Sequence, residues 1–60
     1  MTPTEYINAI RIEYACSRLR ETEESVTDIA YECGFRNMSY FYRVFKEKMS
    51  MTPQKYRKSI

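Results

Sequence analysis

The chain contains a single glycine, Gly34, which separates two short stretches of helical periodicity. Ser25 is a good helix N-cap residue, and Asp28 follows three positions later in a variant of the capping box. A helix is therefore predicted to begin at Val26 and to end at the glycine. The segment 25–48 is predicted to consist of two helices hinged at Gly34.

The second helical pattern begins near Asn37. Its apolar residues recur at helical spacing and form one stripe facing the first helix, namely Met38, Phe41, Val44 and Phe45. At roughly 100° per residue, Ser39, Arg43 and Lys46 fall together on the opposite face. Two helices, a glycine turn and a cationic outer face are typical of a helix-turn-helix whose second helix reads DNA.

A long helix is predicted to precede this unit. Thr2 as N-cap, Pro3 at the first helical position and Glu5 at the third form a complete helix start, and nothing interrupts the helix before about Glu21. One apolar stripe of this helix consists of Tyr6, Ile7, Ile10 and Tyr14. A second stripe, nearly opposite, consists of Ile12, Ala15, Cys16 and Leu19. Because a surface helix on one core needs only one stripe, this helix is predicted to contact two bodies, of which the chain supplies one.

The motif Met-Thr-Pro-x-x-Tyr occurs twice, at 1–6 and at 51–56. The second copy predicts a short C-terminal helix over 52–60, with Thr52 as its cap and Pro53 in its first turn. If the motif closes a repeated unit, the chain begins at the closing element of an earlier one. That interpretation predicts an upstream helix-turn-helix subdomain as a partner in the same protein.

Charge is divided unevenly along the chain. Residues 1–32 carry three arginines against seven acids, a net charge of −4, whereas residues 33–60 carry seven basic residues against one acid, a net charge of +6. The basic half coincides with the predicted reading helix and the C-terminal segment. This distribution is the electrostatic footprint expected for phosphate binding.

The chain lacks the residues that several classes of function require. The chain has no histidine, and Cys16 and Cys33 are its only cysteines, too few to hold zinc, so we expect reduced packing cysteines and no metal or cofactor. No paired nucleophile and base is present, so we expect no enzyme. No apolar run approaches the roughly 20 residues that span a bilayer, and no charged-then-apolar leader is present. A soluble, cytoplasmic protein is the expectation.

Three runs carry a resemblance to a known family: 29–35 (IAYECGF), 40–46 (YFYRVFK) and 52–57 (TPQKYR). They resemble the signature of AraC/XylS-type transcription regulators, and the resemblance extends into the long helix at Tyr6, Arg11, Ala15 and Leu19. It implies an all-α, homeodomain-like subdomain: a linker helix over 1–21, a helix-turn-helix over 25–48 and a C-terminal helix over 52–60. In that family two such subdomains enter successive segments of the major groove, and the resemblance favours activation of transcription.

The chain departs from the family pattern at two positions. Ser50 stands where a glycine usually precedes Met-Thr-Pro, which makes that helix end less favourable. Met38 stands near the start of the reading helix, where relatives often carry a polar side chain that contacts bases.

The residues predicted to contact DNA lie in the second helix and just before it: Arg36, Asn37, Met38, Ser39, Tyr42, Arg43 and Lys46. Arg43 is the best direct reader, because its planar fork can donate twice to guanine O6 and N7. Ser39 can reach a base or a phosphate. Lys46 and Arg36 are predicted phosphate contacts, which position the helix without specifying sequence.

Asn37 and Met38 have two interpretations each, and Tyr42 has one. Asn37 can cap the helix, the interpretation we favour, or contact DNA. Met38 can touch a thymine methyl group or point toward the core. Tyr42, at the edge of the face, can donate its hydroxyl to a phosphate while its ring packs.

A different class of function is also open. Two apolar stripes and an exposed aromatic set, Tyr31, Tyr40 and Tyr42, suit a protein-interaction module that contacts RNA polymerase or a partner subunit. Salt-sensitive duplex binding that depends on Arg43 favours the DNA-binding hypothesis, whereas salt-insensitive self-association favours the alternative. One subdomain alone makes few phosphate contacts, so the chain by itself is predicted to bind DNA weakly.

Overall fold

A computed structural model of the chain describes residues 1–59 and contains four helices in that range. They are α1 (Pro3–Glu21), α2 (Val26–Glu32), α3 (Met38–Met49) and α4 (Pro53–Lys58). No strand occurs among these residues, and the all-α prediction is confirmed. The sequence predicts that the terminal helix extends to Ile60, which lies outside the described residues.

Each helix begins with a side chain that caps its first turn. Thr2, Ser25, Asn37 and Thr52 each accept a hydrogen bond from the backbone N–H three residues later, over 3.1, 3.1, 2.9 and 3.2 Å. A cap of this kind stabilises a helix by about 1 kcal/mol, because it satisfies an otherwise unpaired N–H. Both copies of Met-Thr-Pro-x-x-Tyr therefore start a helix in the same way, with a threonine cap and a proline in the first turn.

Helix α1 packs against each of the other three helices. Its inner stripe, Ile12, Ala15, Cys16 and Leu19, is buried. Its outer stripe is exposed: Tyr6 by 59%, Ile7 by 45%, Ile10 by 50% and Tyr14 by 45%. The prediction of two unlike apolar faces is therefore confirmed, with the fold of the chain covering only the inner one.

Three phenylalanines fill the centre of the core. The Phe35 and Phe41 ring centroids lie 5.1 Å apart with the rings edge to face, and those of Phe41 and Phe45 lie 5.8 Å apart. Full burial of one such side chain contributes roughly 1.5–3 kcal/mol. Ile29 and Ala30 from α2 are fully buried beside them, and the small Ala30 side chain adds no bulk where α2 meets the core. This packing fixes the inner face of α3.

Helix α4 closes the far end of α1. The guanidinium of Arg57 donates to the carbonyls of Leu19 and Thr22, over 3.3 and 3.2 Å. Arg20 donates to the hydroxyl of Tyr56 over 2.8 Å. Because the last carbonyls of a helix have no partner within it, Arg57 supplies the donors that the end of α1 lacks.

Helix α3 ends at a strained position. Ser50 has φ 64°, in the left-handed region, while its N–H donates to the carbonyl of Lys46 over 2.8 Å. A left-handed conformation costs a residue with a Cβ roughly 1–2 kcal/mol, and glycine avoids this cost. Serine in place of the family's usual glycine therefore lowers the stability of the folded state at this helix end.

Ser50→Gly should therefore stabilise the fold by about 0.5–1 kcal/mol, the relief of strain less the added flexibility of the unfolded chain. Urea unfolding followed by circular dichroism measures the change. Ser50→Ala removes the same hydroxyl and keeps the Cβ, so it should give no gain. An equal gain from both variants would contradict the role of the left-handed backbone.

Both cysteines are buried free thiols, with Cys16 exposed by 5% and Cys33 by 8%. Burial raises the pKa of Cys33 to about 11 and also raises the pKa of Cys16. Only the thiolate is nucleophilic, so a raised pKa lowers reactivity at neutral pH. These are packing residues, as the sequence predicts.

The native chain should accordingly resist alkylation. At pH 8 a thiol with a pKa near 11 holds about two orders of magnitude less thiolate than an ordinary one, and burial also limits access. Mass spectrometry after iodoacetamide treatment should find both cysteines modified slowly in the native chain and rapidly in urea. Fast modification of the folded chain would contradict the buried arrangement.

Candidate nucleic-acid interface

The turn between α2 and α3 is built around Gly34. Its φ of 103° is a conformation that L side chains rarely adopt. Its N–H donates to the carbonyl of Tyr31, and the N–H of Phe35 donates to the carbonyl of Ala30, over 3.1 and 2.9 Å. These bonds reverse the chain at the end of α2. A Cβ at Gly34 would also lie 3.0 Å from Nε of Arg11, so a larger residue would have to displace that side chain as well as adopt the strained φ.

The turn orients α3 so that one of its faces is buried and the opposite face is exposed. Phe41, Val44 and Phe45 are buried, whereas Ser39, Arg43 and Lys46 on the opposite face are exposed. The division matches the periodicity of the sequence. Three of the predicted contact residues therefore lie on one accessible face of a rigidly packed helix.

The other predicted contact residues lie at the edges of this face. Arg36 is exposed in the turn. Asn37 is also exposed, and its Oδ1 accepts the N–H of Tyr40, so it caps α3 as favoured above. Met38 is partly buried and packs against the core, which is the second of its two predicted positions. The amide of Gln54 donates to the hydroxyl of Tyr42.

The prediction that three tyrosines form an exposed aromatic set is wrong for two of them. Tyr31 is exposed by 57%, but Tyr40 and Tyr42 are partly buried and pack against the core. The ring of Tyr42 lies 5.9 Å from that of Phe41, and the ring of Tyr40 lies 5.8 Å from that of Phe35. A tyrosine at the border of a helix face can bury its ring while its hydroxyl stays at the surface, so periodicity alone misjudges it.

Arg43 is held in position by its neighbours on α3. Its guanidinium lies over the ring of Tyr40, with Cζ 5.2 Å from the ring centroid, and its Nε lies 3.9 Å from a carboxylate oxygen of Glu47. The side chains of Arg43 and Glu47 are both about 70% exposed. An exposed i,i+4 pair contributes only about 0.3–0.5 kcal/mol, so the guanidinium can exchange this partner for another acceptor at little cost.

Tyr40 is in turn fixed by α1. Its hydroxyl accepts a hydrogen bond from the Asn8 amide over 2.9 Å, and Asn8 is 8% exposed, the one buried polar residue among those described. The connection from α1 through Tyr40 to Arg43 was missed at the sequence level. An asparagine on an otherwise apolar side of a helix was the available signal, because a buried amide needs a partner.

An open cleft of about 780 Å³ lies beside this face. Its wall contains three arginines, Arg11, Arg36 and Arg43, together with Asn37 and Ser39, and no acidic residue. Arg11 comes from α1 and is not among the contact residues predicted from the sequence. The cleft thus concentrates positive charge where the turn meets α3.

No three cysteine or acidic side chains in residues 1–59 come together as a metal site would require. None of the four helices has the length and apolar character needed to cross a bilayer. A tight turn between two short helices, the second with a cationic outer face, defines a helix-turn-helix domain.

Comparison with known proteins leads to the same class and to a family. A helix-turn-helix domain family matches residues 1–59. The transcriptional activator RhaS of Enterobacter sp. (strain 638) is 44% identical over 57 residues, covering 95% of this chain and 20% of RhaS. The melibiose operon regulatory protein of Escherichia coli (strain K12) is 43% identical over 58 residues, covering 97% of this chain and 19% of that protein. The chain belongs to the AraC/XylS-type helix-turn-helix family, whose members are DNA-binding transcription regulators.

A solved structure agrees closely in fold. A Listeria innocua protein of unknown function superposes with a TM-score of 0.94 at 41% identity, over 97% of this chain and 55% of that one. The chain spans about a fifth of the length of the two curated regulators. The resemblance inferred from the sequence is therefore confirmed at the level of the family.

The hydrogen bond between Asn8 and Tyr40 can be measured by a double-mutant cycle. Asn8→Ala and Tyr40→Phe, singly and together, should give a coupling energy of about 0.5–1.5 kcal/mol, because each single variant leaves a partly buried partner unpaired. Urea unfolding of the four proteins measures it. The exposed hydrogen bond between Ser17 and Glu21, 3.1 Å long, is a control whose Ser17→Ala and Glu21→Ala cycle should give almost none. Equal coupling in the two cycles would contradict the burial argument.

Proposed function

We propose that the chain binds double-stranded DNA in a sequence-specific manner, as the second half of a two-subdomain bacterial transcription regulator. Helix α3 lies in the major groove with its N-terminal residues nearest the bases. The observation that carries this proposal is the division of α3 into a buried aromatic face and an exposed cationic one, set at a glycine turn. Membership of a family of DNA-binding regulators supports it independently.

The exposed residues then have separate roles. Arg43 reads guanine, because the Tyr40 ring supports its guanidinium and the pairing with Glu47 is weak enough to yield. Ser39 contacts a base or a phosphate, and Lys46 and Arg36 contact phosphates. These assignments rest on exposure and on the shared face.

The three residues at the border of the face act differently. The Oδ1 of Asn37 is already occupied as the cap, so its amide nitrogen is the group left to donate to DNA. The hydroxyl of Tyr42 accepts from Gln54 and keeps its own proton to donate to a phosphate. Met38 packs against the core, and its contribution to DNA is limited to apolar contact with a thymine methyl group.

The exposed outer stripe of α1 supports a two-subdomain arrangement. Four large apolar residues in exposed positions on one helix are the sort of surface that another folded unit covers: Tyr6, Ile7, Ile10 and Tyr14. The curated relatives are about five times longer than the chain, which leaves room for an upstream helix-turn-helix subdomain. In this arrangement α1 is the linker helix, and the regulator works in the cytoplasm, where the bacterial chromosome lies. RhaS is named a transcriptional activator, which favours activation here.

The same stripe is the one observation that favours the alternative function. With Tyr31 it can form a contact surface for RNA polymerase or a partner subunit. The partial burial of Tyr40 and Tyr42 removes two of the aromatic residues on which that alternative depended. DNA binding is therefore the better-supported function.

Binding of the 60-residue chain to a random-sequence duplex pool, measured by fluorescence anisotropy at two salt concentrations, tests the proposal. Affinity should be weak and should fall as the salt concentration rises, with a slope set by the number of phosphates contacted. Arg43→Ala should lower affinity for the selected duplexes about 5- to 150-fold and relax their base preference, because a bidentate guanine contact contributes about 1–3 kcal/mol.

Lys55→Ala is the matched control, because it removes one exposed positive charge from α4 and leaves every charge on α3 in place. Its effect should be small and equal for all duplex sequences. Circular dichroism should first confirm that both variants fold. A folded chain that binds no duplex at low salt, and that self-associates regardless of salt, would contradict the proposal and favour the protein-interaction alternative.

A further inference from the structure

Arg11 occupies an unusual position for a surface arginine of a helix. It extends from the middle of α1 to the turn between α2 and α3, where its Cζ lies 5.7 Å from the centroid of the Phe35 ring. Its Nε would be 3.0 Å from a Cβ on Gly34, so the side chain is packed against the glycine backbone. The guanidinium is therefore held at the turn, and much of the entropy cost of fixing a long side chain is already met in the free protein.

No acidic group among residues 1–59 forms an ion pair with Arg11. Arg11 makes no hydrogen bond and no ion pair with the part of the chain that the structure describes. Other arginines on α1 are engaged: Arg18 bonds to Glu24 over 2.8 Å, and Arg20 bonds to the hydroxyl of Tyr56 over 2.8 Å. A guanidinium carries five N–H donors, so Arg11 presents an unused set of donors at a fixed place.

The surroundings of Arg11 favour an anion. Arg11 lines the open cleft together with Arg36 and Arg43, and a smaller concavity together with Tyr31, Gly34 and Arg36. No acidic side chain lines either of them. Several cations around a concave surface raise the local positive potential more than one alone. The absence of a side chain on Gly34 leaves the space in which the Arg11 guanidinium lies.

We propose that Arg11 binds a backbone phosphate of the DNA, so that the interface extends from α3 onto α1. This inference rests on the proposed function, since it assigns a second helix to the same duplex. A planar guanidinium can donate two parallel hydrogen bonds to a phosphate, and one already fixed by packing does so at reduced entropic cost. Arg11 contributes affinity and register, whereas Arg43 contributes base preference.

The dependence of binding on salt distinguishes this role from simple packing. Each neutralised phosphate contributes about 0.9 to the slope of log affinity against log salt concentration. Arg11→Gln, which keeps most of the stem over Phe35 and loses the charge, should reduce that slope by about 0.9. Arg11→Lys should keep it near the wild-type value. Base preference should be unchanged in both variants.

Arg18→Gln is the matched control, because it removes a charge from the same helix two turns away, where the arginine is paired with Glu24. Its slope should equal that of the wild type. An unchanged slope in Arg11→Gln, or an equal loss in Arg11→Gln and Arg11→Lys, would overturn the proposal and leave Arg11 as a packing residue. Loss of base preference in Arg43→Ala alongside an unchanged slope in Arg11→Gln would overturn this inference alone, whereas a wild-type chain that binds no duplex would overturn both.

A measurement on the wild-type chain makes the test independent of how the variants fold. The Nε–Hε signal of Arg11 in a nitrogen–proton NMR spectrum should shift as a duplex is added at low salt, together with that of Arg43. The corresponding signal of Arg18 should stay in place. A stationary Arg11 signal under conditions where the Arg43 signal moves would overturn the proposal.

Discussion

The burial of one face of α1 is the interaction on which the rest of the fold depends. Helices α2 and α4 have only seven and six residues, and a helix of that length is not stable alone in water. Each is held by contact with α1, which supplies Ile12, Ala15, Cys16 and Leu19 to the common core. The hydrophobic effect thus assembles three short helices on one long one. The orientation of α3, and with it the cationic face, follows from this packing.

Rigid packing on one side of α3 allows adaptable contacts on the other. The buried face depends on Phe35, Phe41 and Phe45, each of which contributes roughly 1.5–3 kcal/mol by burial. The exposed face holds only weak interactions, such as the pairing of Arg43 with Glu47 at 3.9 Å. A surface that binds DNA needs a fixed backbone, which strong buried interactions provide. Its exposed side chains need only weak contacts within the protein, because they must exchange those contacts for DNA on binding.

Helix α1 connects the core to three other surfaces. Asn8 on α1 fixes the tyrosine under Arg43, and Arg11 on the same helix reaches the turn before α3. Its outer stripe is exposed and is the surface that the proposed upstream subdomain would cover. The length and apolar outer face of α1 suit a helix that joins two bodies.

The sequence by itself determined the local structure and the family. Caps at Thr2, Ser25 and Thr52 and the glycine at residue 34 act within one helical turn, so they could be recognised without knowing what packs against what. Helical periodicity likewise separated the buried and exposed faces of α3. Only the tertiary structure decided that the Tyr40 ring is partly buried, that its hydroxyl bonds to Asn8 and that the Arg11 guanidinium lies over Phe35. The hydrogen bond joins residues 32 positions apart, and Arg11 and Phe35 are 24 positions apart, so their geometry depends on how the helices cross, which no local pattern encodes.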